Sequence, residues 1–339
     1  MKICITGGGT GGHLMVANSL LNAVIEQGDE AIFIGSLSGQ DRKYFEHNSS
    51  FSKVYFLSTT GVVNQRGFEK VKALIRVYKA FFEARKMLKK HNIKATYSVG
   101  GFSAAPASFA SLSRFIPLFI HEQNAVAGRL NTILRPFAKR FVSAYDSKSI
   151  IKGYPVNKAF YEHKRVRKEL KTVIFLGGSQ GAKAINDLAL DLAKELEKRG
   201  IKIIHQAGER DLQRVKQRYE ELGVEVELYG FTKDLLSLIE RADMAFSRAG
   251  ASTLWELTTN ALPTIFIPYP YAAGEHQYYN AQFIVENSLG WCIRENEVSG
   301  KKLIEILDEP FLQEKSSALM EYSTSDVAYK MIKDLKESI

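Results

Sequence analysis

Two glycine loops with the same local pattern constrain this chain more than any other feature. An apolar run at 2–6, KICIT, feeds GGGTGGH at 7–13 and then a helical stretch at 14–27; a second run at 172–176, TVIFL, feeds GGSQGA at 177–182 and a long helix to 199. A strand that ends in glycines and turns at once into a helix brings unpaired helix N–H groups, and the positive end of the helix dipole, to the strand's C-terminal edge. Phosphate groups are well held there. Further strands are expected at 31–34, 95–99 and 117–121, then at 201–206, 224–229 and around Met244. Strands alternating with helices mean a parallel, doubly wound sheet, and the series occurring twice means two of them. At 339 residues and 45% hydrophobic, the chain is long enough for two such cores. The first half closes around Gly153-Tyr154-Pro155-Val156, giving domains 1–155 and 156–324, with a charged, linker-like stretch at 157–171 and a last helix at 325–339. Ligand is expected between the domains, at the C-terminal strand edges.

The first loop reads formally as GxGxxG at Gly7, Gly9 and Gly12. A dinucleotide enzyme would also carry an acid closing the second strand to hold a ribose, but that strand ends in Gly35-Ser36, so the NAD reading weakens. What remains is a loop that approaches a phosphate closely, with His13 at the helix start where a general base reaches substrate. A lone histidine is more often structural, and both readings stay open. At 121–131, HEQNAVAGRLN sets four polar residues at the end of an apolar strand, a pattern of a site rather than of a solvated loop.

The stretch 246–280 reads strand, turn, helix, strand, with Ser252 or Thr253 capping the helix. Glu256 lies three residues after Thr253. It either completes a capping box or, one turn into the helix, bonds a ribose diol; spacing alone does not separate the two. The helix at 68–90 repeats apolar residues with a 3.6-residue period, and most of that stripe is expected to face the core.

Cys4 and Cys292 lie far apart in apolar stretches, which suits reduced thiols and makes neither a metal ligand. The N-terminus runs directly into the glycine loop with no room for a signal peptide, and no stretch of 18 uncharged apolar residues occurs, so the protein is expected to be soluble or to lie on a membrane. Its net charge of +9 is uneven: residues 1–155 carry 21 Lys/Arg against 9 Asp/Glu, residues 156–339 carry 25 against 28. A basic first half, densest at 66–94 beside Val62-Val63, calls for an anionic partner on that side alone: nucleic acid, an anionic membrane or a phosphorylated lipid.

Taken together, GGGTGGH, GGF with Ser103 and Pro106, HEQNAVAGRLN, GGSQGA, HQAG at 205–208, SRAGASTLWE at 247–256 and HQYYNA at 276–281 resemble the MurG family of UDP-N-acetylglucosamine transferases across nearly the whole chain. Members of that family complete lipid II, the membrane-linked precursor of bacterial peptidoglycan. The resemblance implies the GT-B glycosyltransferase fold, an α/β architecture of two doubly wound, Rossmann-like domains facing a cleft, with the last helix crossing back onto the N-terminal domain, and inversion at the anomeric carbon. It implies an acceptor- and membrane-facing first domain and a donor-binding second one. UDP-N-acetylglucosamine is the implied donor and lipid I, an undecaprenyl-pyrophosphoryl-muramoyl-peptide, the implied acceptor. The protein would then work peripherally on the anionic cytoplasmic face of the cell membrane and engage no nucleic acid.

Carried over residue by residue, the family's donor site falls on Thr10, Gly11 and Gly12 near the sugar and diphosphate, Asn124 on the sugar, Ser179 on a phosphate and Thr232 beside uracil. It continues through Ala251, Ser252, Thr253, Leu254, Trp255 and Glu256, with the acid on ribose, to Gln277 on sugar hydroxyls. His13 matches the family's candidate for base or diphosphate contact. No cofactor is implied, and no Asp-x-Asp pair occurs in the chain, so no metal is expected in the donor site and the diphosphate leans on backbone amides and helix N-termini. The chain departs from the family in lacking a proline soon after His13 and in carrying Tyr154 and Asn157 where an asparagine and an arginine are usual, with Lys158 the nearest substitute charge. Another membrane-surface GT-B transferase, or a non-catalytic UDP-sugar-binding protein, remain the alternatives.

Overall fold

Strands covered on both faces need near-continuous apolar runs, and the inner strands of this chain bury almost every residue. The computed structural model describes residues 1–61, 67–178, 181–308 and 311–339, in two units: Met1–Val156 with Asp326–Ile339, and Asn157–Ser325.

In the first unit the order is β1 (Lys2–Thr6), α1 (Gly11–Glu26), β2 (Glu30–Ser36), α2 (Asp41–Phe45), β3 (Lys53–Leu57), α3 (Gly67–Lys90), β4 (Ala95–Ser98), α4 (Ala105–Leu112), β5 (Leu118–Glu122), α5 (Arg129–Leu134) and β6 (Arg140–Ser143). All six strands are parallel, in spatial order β3-β2-β1-β4-β5-β6, with Ile3 paired to both Ala31 and Ala95. The edge strands β3 and β6 have no counterpart among the sequence expectations, because each is short and partly exposed and so lacks a clean apolar run. Strand order reverses between β1 and β4. The two glycine loops that follow these strands therefore lie side by side at the switch point of the sheet, where open α/β sheets hold ligand.

The second unit runs α6 (Lys158–Glu162), β7 (Thr172–Leu176), α7 (Lys183–Lys198), β8 (Lys202–Gln206), α8 (Leu212–Leu222), β9 (Glu227–Tyr229), α9 (Leu235–Arg241), β10 (Met244–Ser247), α10 (Ala251–Thr259), β11 (Thr264–Phe266), α11 (His276–Glu286), β12 (Trp291–Cys292), α12 (Gly300–Asp308) and α13 (Leu312–Tyr322). Its order, β12-β11-β10-β7-β8-β9, repeats the first sheet's pattern and puts the loops after β7 and β10 at its own switch point. The last helix, α14 (Val327–Glu337), packs on α1 in the first unit, burying Met331, Ile332 and Leu335, with Gln27 Nε2 donating to the Tyr329 carbonyl at 2.9 Å and Lys336 paired to Asp29 at 2.6 Å.

Two expectations are overturned. The apolar stripe of α3 does not face the core: Ala73, Ala80, Ala84 and Leu88 are its buried residues, while Phe68, Val71, Leu74, Ile75, Tyr78 and Phe82 are exposed. The cause is close approach to α4, whose Ala107 and Ala110 meet Ala80 and Ala84, so small side chains fill the interface and the large ones are left outside. The stretch at 157–171 is also more than a solvated linker. Arg167 is fully buried, donating to the carbonyls of Ile239, Ala242 and Asn260 and to the Asn260 side chain, and Asn260 reaches back to the carbonyls of Phe160 and His163 at 3.1 Å. Helix ends at α9 and α10 thus find their missing partners in one guanidinium.

Candidate active site

The loop cluster of the first unit is backbone packed on backbone. Gly8 N donates to the Gly100 carbonyl at 3.1 Å, and a Cβ on Gly101 would collide with the Gly8 oxygen, so this contact exists only with glycine there. Thr10 is the N-cap of α1 by backbone conformation, yet its hydroxyl makes no capping bond. It pairs instead with Nδ1 of His13 at 2.7 Å. If Nδ1 carries the proton and donates to Thr10, Nε2 is the basic nitrogen, and it is Nε2 that faces Gly100, where a Cβ would come within 3.4 Å of it. Gly11 and Gly12 form the first turn of α1.

From β5, His121 sits beside His13, wholly buried, with its pKa pushed down to about 3 by burial and by His13; neither ring nitrogen has a hydrogen-bond partner among the described residues. Glu122, also buried, shapes the loop that follows. Its Oε1 accepts from Asn124 N at 3.0 Å, and its Oε2 accepts from Gly128 N at 2.9 Å and Asn131 Nδ2 at 2.8 Å. The acid of HEQN is therefore occupied in holding Asn124 in place.

In the second unit the loop after β8 is tied to α7 by Asn186, which donates to the Ala207 carbonyl at 3.0 Å and to Asp211 at 2.7 Å. Its amide oxygen then accepts from His205 Nε2 at 3.1 Å, and His205 Nδ1 meets the Tyr219 hydroxyl at 3.0 Å. His205 is neutral, its pKa pushed down to about 3 by burial. Both nitrogens being satisfied, it serves as support beneath the loop. Ser179 lies outside the described residues. Thr232 spends its hydroxyl accepting from Asp234 N at 3.0 Å, tightening the loop after β9.

α10 begins at Ala251 with Gly250 as its N-cap, so neither Ser252 nor Thr253 caps it. Glu256 is the sixth helical residue, beyond the third position that a capping box requires, and the capping-box reading fails. Its carboxyl is buried, 3.5 Å from the Ser252 hydroxyl, and burial pushes its pKa up to about 7, with Ser252 pulling slightly the other way. Leu254 and Trp255 are core residues, Trp255 stacked on Tyr322 at 6.3 Å, so along 251–256 they offer a ligand backbone only. Gln277 accepts from Tyr269 N at 3.0 Å through its amide oxygen, which turns its amide nitrogen outward as a donor. Asn157 caps α6, accepting from Ala159 N at 3.0 Å, and Lys158 pairs with Glu162 at 3.3 Å.

Sequence reasoning did not single out Asn186, Arg248 or Asn280. Arg248 donates to the carbonyls of Ile267 and Pro268 at 3.1 and 3.2 Å, and Asn280 to the Ala249 carbonyl at 3.1 Å, so together they bind the turn before α10 to the loop after β11 and to α11, the helix that carries Gln277. The sequence signal was weak, an asparagine at an interior helical position; only its full burial in the structure shows that it must have a partner.

Residues 3–143 match the glycosyltransferase family 28 N-terminal domain and residues 172–338 the family 28 C-terminal domain. A protein of Sulfurimonas denitrificans named UDP-N-acetylglucosamine--N-acetylmuramyl-(pentapeptide) pyrophosphoryl-undecaprenol N-acetylglucosamine transferase is 68% identical over 339 residues, covering 100% of this chain and 99% of that one. The chain belongs to the MurG group of glycosyltransferase family 28. A relative of the same name in Wolinella succinogenes is 54% identical over 98% of both chains. The crystal structure of MurG from Acinetobacter baumannii superposes with a TM-score of 0.81 at 25% identity, over 100% of this chain and 99% of that one. This MurG-group chain is accordingly a glycosyltransferase with the GT-B fold. The two parallel sheets described above are its two family 28 domains.

Proposed function

We propose that this family 28 enzyme transfers N-acetylglucosamine from UDP-N-acetylglucosamine to the C4 hydroxyl of the muramoyl sugar of lipid I, forming lipid II. The observation that carries the reading is full-length likeness, at 68% identity, to a transferase named for that donor and acceptor. In this reading the second unit holds the donor: Glu256 accepts from the ribose hydroxyls, Thr232 lies beside uracil, the amides at the start of α10 and the loop at 177–182 with Ser179 take the diphosphate, and Gln277 donates to the sugar. The first unit takes the acceptor and supplies the chemistry. His13 Nε2 removes the proton from the attacking hydroxyl as the new C1–O bond forms on the face opposite the departing UDP, while Thr10 holds the imidazole and Asn124 meets the sugar. As the old C1–O bond breaks, negative charge grows on the diphosphate, and backbone amides at Gly11, Gly12 and the α10 terminus are the groups suited to receive it. Incubating the purified protein with UDP-N-acetylglucosamine and a lipid I analogue should yield the disaccharide and UDP; hydrolysis or binding of the donor without disaccharide would overturn the assignment.

The same enzyme is proposed to work peripherally on the cytoplasmic face of the membrane. No helix among the described residues is long and apolar enough to cross a bilayer. The outward row on α3 supports attachment: Phe68 and Tyr78 are 72% and 65% exposed, Val71, Ile75 and Phe82 share the exposed side, and the helix carries eight Lys/Arg against two Glu. A contiguous apolar surface of this kind marks an interaction site, and its basic border suits anionic headgroups at about 1 kcal/mol for each Lys or Arg close to them. Val62-Val63 lies outside the described residues and adds nothing here. The protein should sediment with anionic vesicles and be released only in part by salt. Changing Lys86, Lys89 and Lys90 to Glu should remove the salt-sensitive share, and Ile75→Ser with Tyr78→Ser the remainder. Equal binding to neutral and anionic vesicles by all variants would exclude this helix as the attachment surface.

A further inference from the structure

Asp41 is a carboxylate that no motif and no step above uses. It opens α2, is fully buried, and has no basic side chain paired to it among the described residues. Burial raises its pKa, and backbone donors, with the Ser103 side chain, pull it back. Those donors are specific: Gly9 N gives its hydrogen to Oδ1 at 2.5 Å and Ser36 N to Oδ2 at 2.9 Å. The carboxylate also fills a space kept open by two glycines, since a Cβ on Gly8 would lie 2.5 Å from Oδ1 and one on Gly35 2.8 Å from Oδ2. Gly9 itself has φ +87 and the Phe102 ring against its other side, 2.6 Å from where a Cβ would be. The next residue is Thr10, whose hydroxyl meets His13 Nδ1.

A buried acid without a cation is costly unless its oxygens are well bonded, and here one backbone bond goes to Gly9 in the first glycine loop and the other to Ser36 at the end of β2. We propose that Asp41 is a positioning residue for sugar transfer: it fixes the Gly9 amide, and through that peptide the Thr10 hydroxyl that orients His13. The inference rests on the reading of His13 as the base. An asparagine at 41 offers one acceptor oxygen and turns an NH2 toward the second amide, so one N–H is left facing a donor. The loop must shift to relieve this, and displacements near 1 Å at a reacting group cost on the order of 10²-fold in rate.

A double-mutant cycle tests it, comparing parent, Asp41→Asn, His13→Ala and the double variant for kcat on UDP-N-acetylglucosamine with a lipid I analogue, and for UDP affinity by calorimetry. Asp41→Asn is expected to lower kcat by about tenfold or more with UDP affinity within about twofold, and to lower the residual rate of His13→Ala by less than about threefold, because a residue acting through His13 has nothing left to position. A merely structural acid would cost the same factor in both backgrounds. A large loss in His13→Ala with parent kcat in Asp41→Asn, or a loss from Asp41→Asn that persists in full without His13, overturns the inference while leaving the base assignment intact. Parent-like turnover in His13→Ala overturns both. If Asp41→Asn does not fold, the cycle is run with Asp41→Glu, which keeps both oxygens but drives them one methylene further into the space beside Gly8 and Gly35. A parent-like kcat in Asp41→Glu, or a loss undiminished in the His13→Ala background, then overturns the inference in the same way.

Discussion

His13→Ala is expected to lower turnover by about 10²- to 10⁴-fold, the usual range for loss of a general base, while UDP affinity stays within about twofold. The split follows from where the residue stands. His13 belongs to the first unit, on a helix start whose cap hydroxyl has been diverted to its Nδ1, whereas every side chain proposed to hold the uridine and ribose belongs to the second unit. Thr10→Val, which keeps the shape of the side chain and removes the hydroxyl that meets Nδ1, should produce part of the same loss, because Thr10 then no longer fixes the tautomer and orientation of the ring. Steady-state rates on a lipid I analogue and calorimetric titration with UDP check both statements. If His13→Ala turns over within a few-fold of the parent, the imidazole is structural and the proton leaves by another route.

Glu256 carries the second large effect. Glu256→Ala should weaken UDP binding by about 1–3 kcal/mol, the cost of losing a hydrogen bond to a charged acceptor. The pH dependence is more diagnostic. Burial raises the pKa of this acid to about 7 in the free protein, so near neutrality a large share of molecules hold it protonated. A ribose diol donates, and it needs the ionised carboxylate as acceptor; the ligand therefore binds the deprotonated form and lowers the pKa in the complex. The sign is fixed by this: affinity rises with pH through about 6 to 8 and levels above that, with proton release on binding below about pH 7. Glu256→Gln removes the titrating group, and the difference between parent and variant profiles cancels any titration of the ligand's own phosphate. Superimposable profiles would show that Glu256 does not meet the ribose.

Much of this molecule is legible in its residue order. β1 and β7 coincide with their apolar runs residue for residue, because a strand buried on both faces must be apolar throughout and a glycine loop ends it sharply. The doubled series of strand, glycine loop and helix is enough for two parallel sheets. The motif blocks are enough for the family, since spacing and residue type within a loop are local properties that a sequence states directly.

What the residue order left open is set by contacts between distant segments. The capping box at Thr253 and Glu256 had the right spacing, but the helix is capped three residues earlier, at Gly250, once the turn from β10 and the bond from Asn280 to Ala249 fix its first turn. The apolar stripe of α3 had the right period, and period alone does not say which face is covered; α4 presents alanines, so α3 answers with alanines and turns its aromatic and branched residues outward. Arg167, in a stretch that reads as a solvated linker, is buried because two helix ends 72 and 93 residues further along the chain need donors. Asp41 is the extreme case: one aspartate in a stretch without a motif, whose two oxygens meet Gly9 and Ser36 only after β1 and β2 have paired in register. Local patterns decide which elements form and where glycine is required. Tertiary structure decides which polar groups find one another, because those bonds form only between segments that the sheet has first brought together.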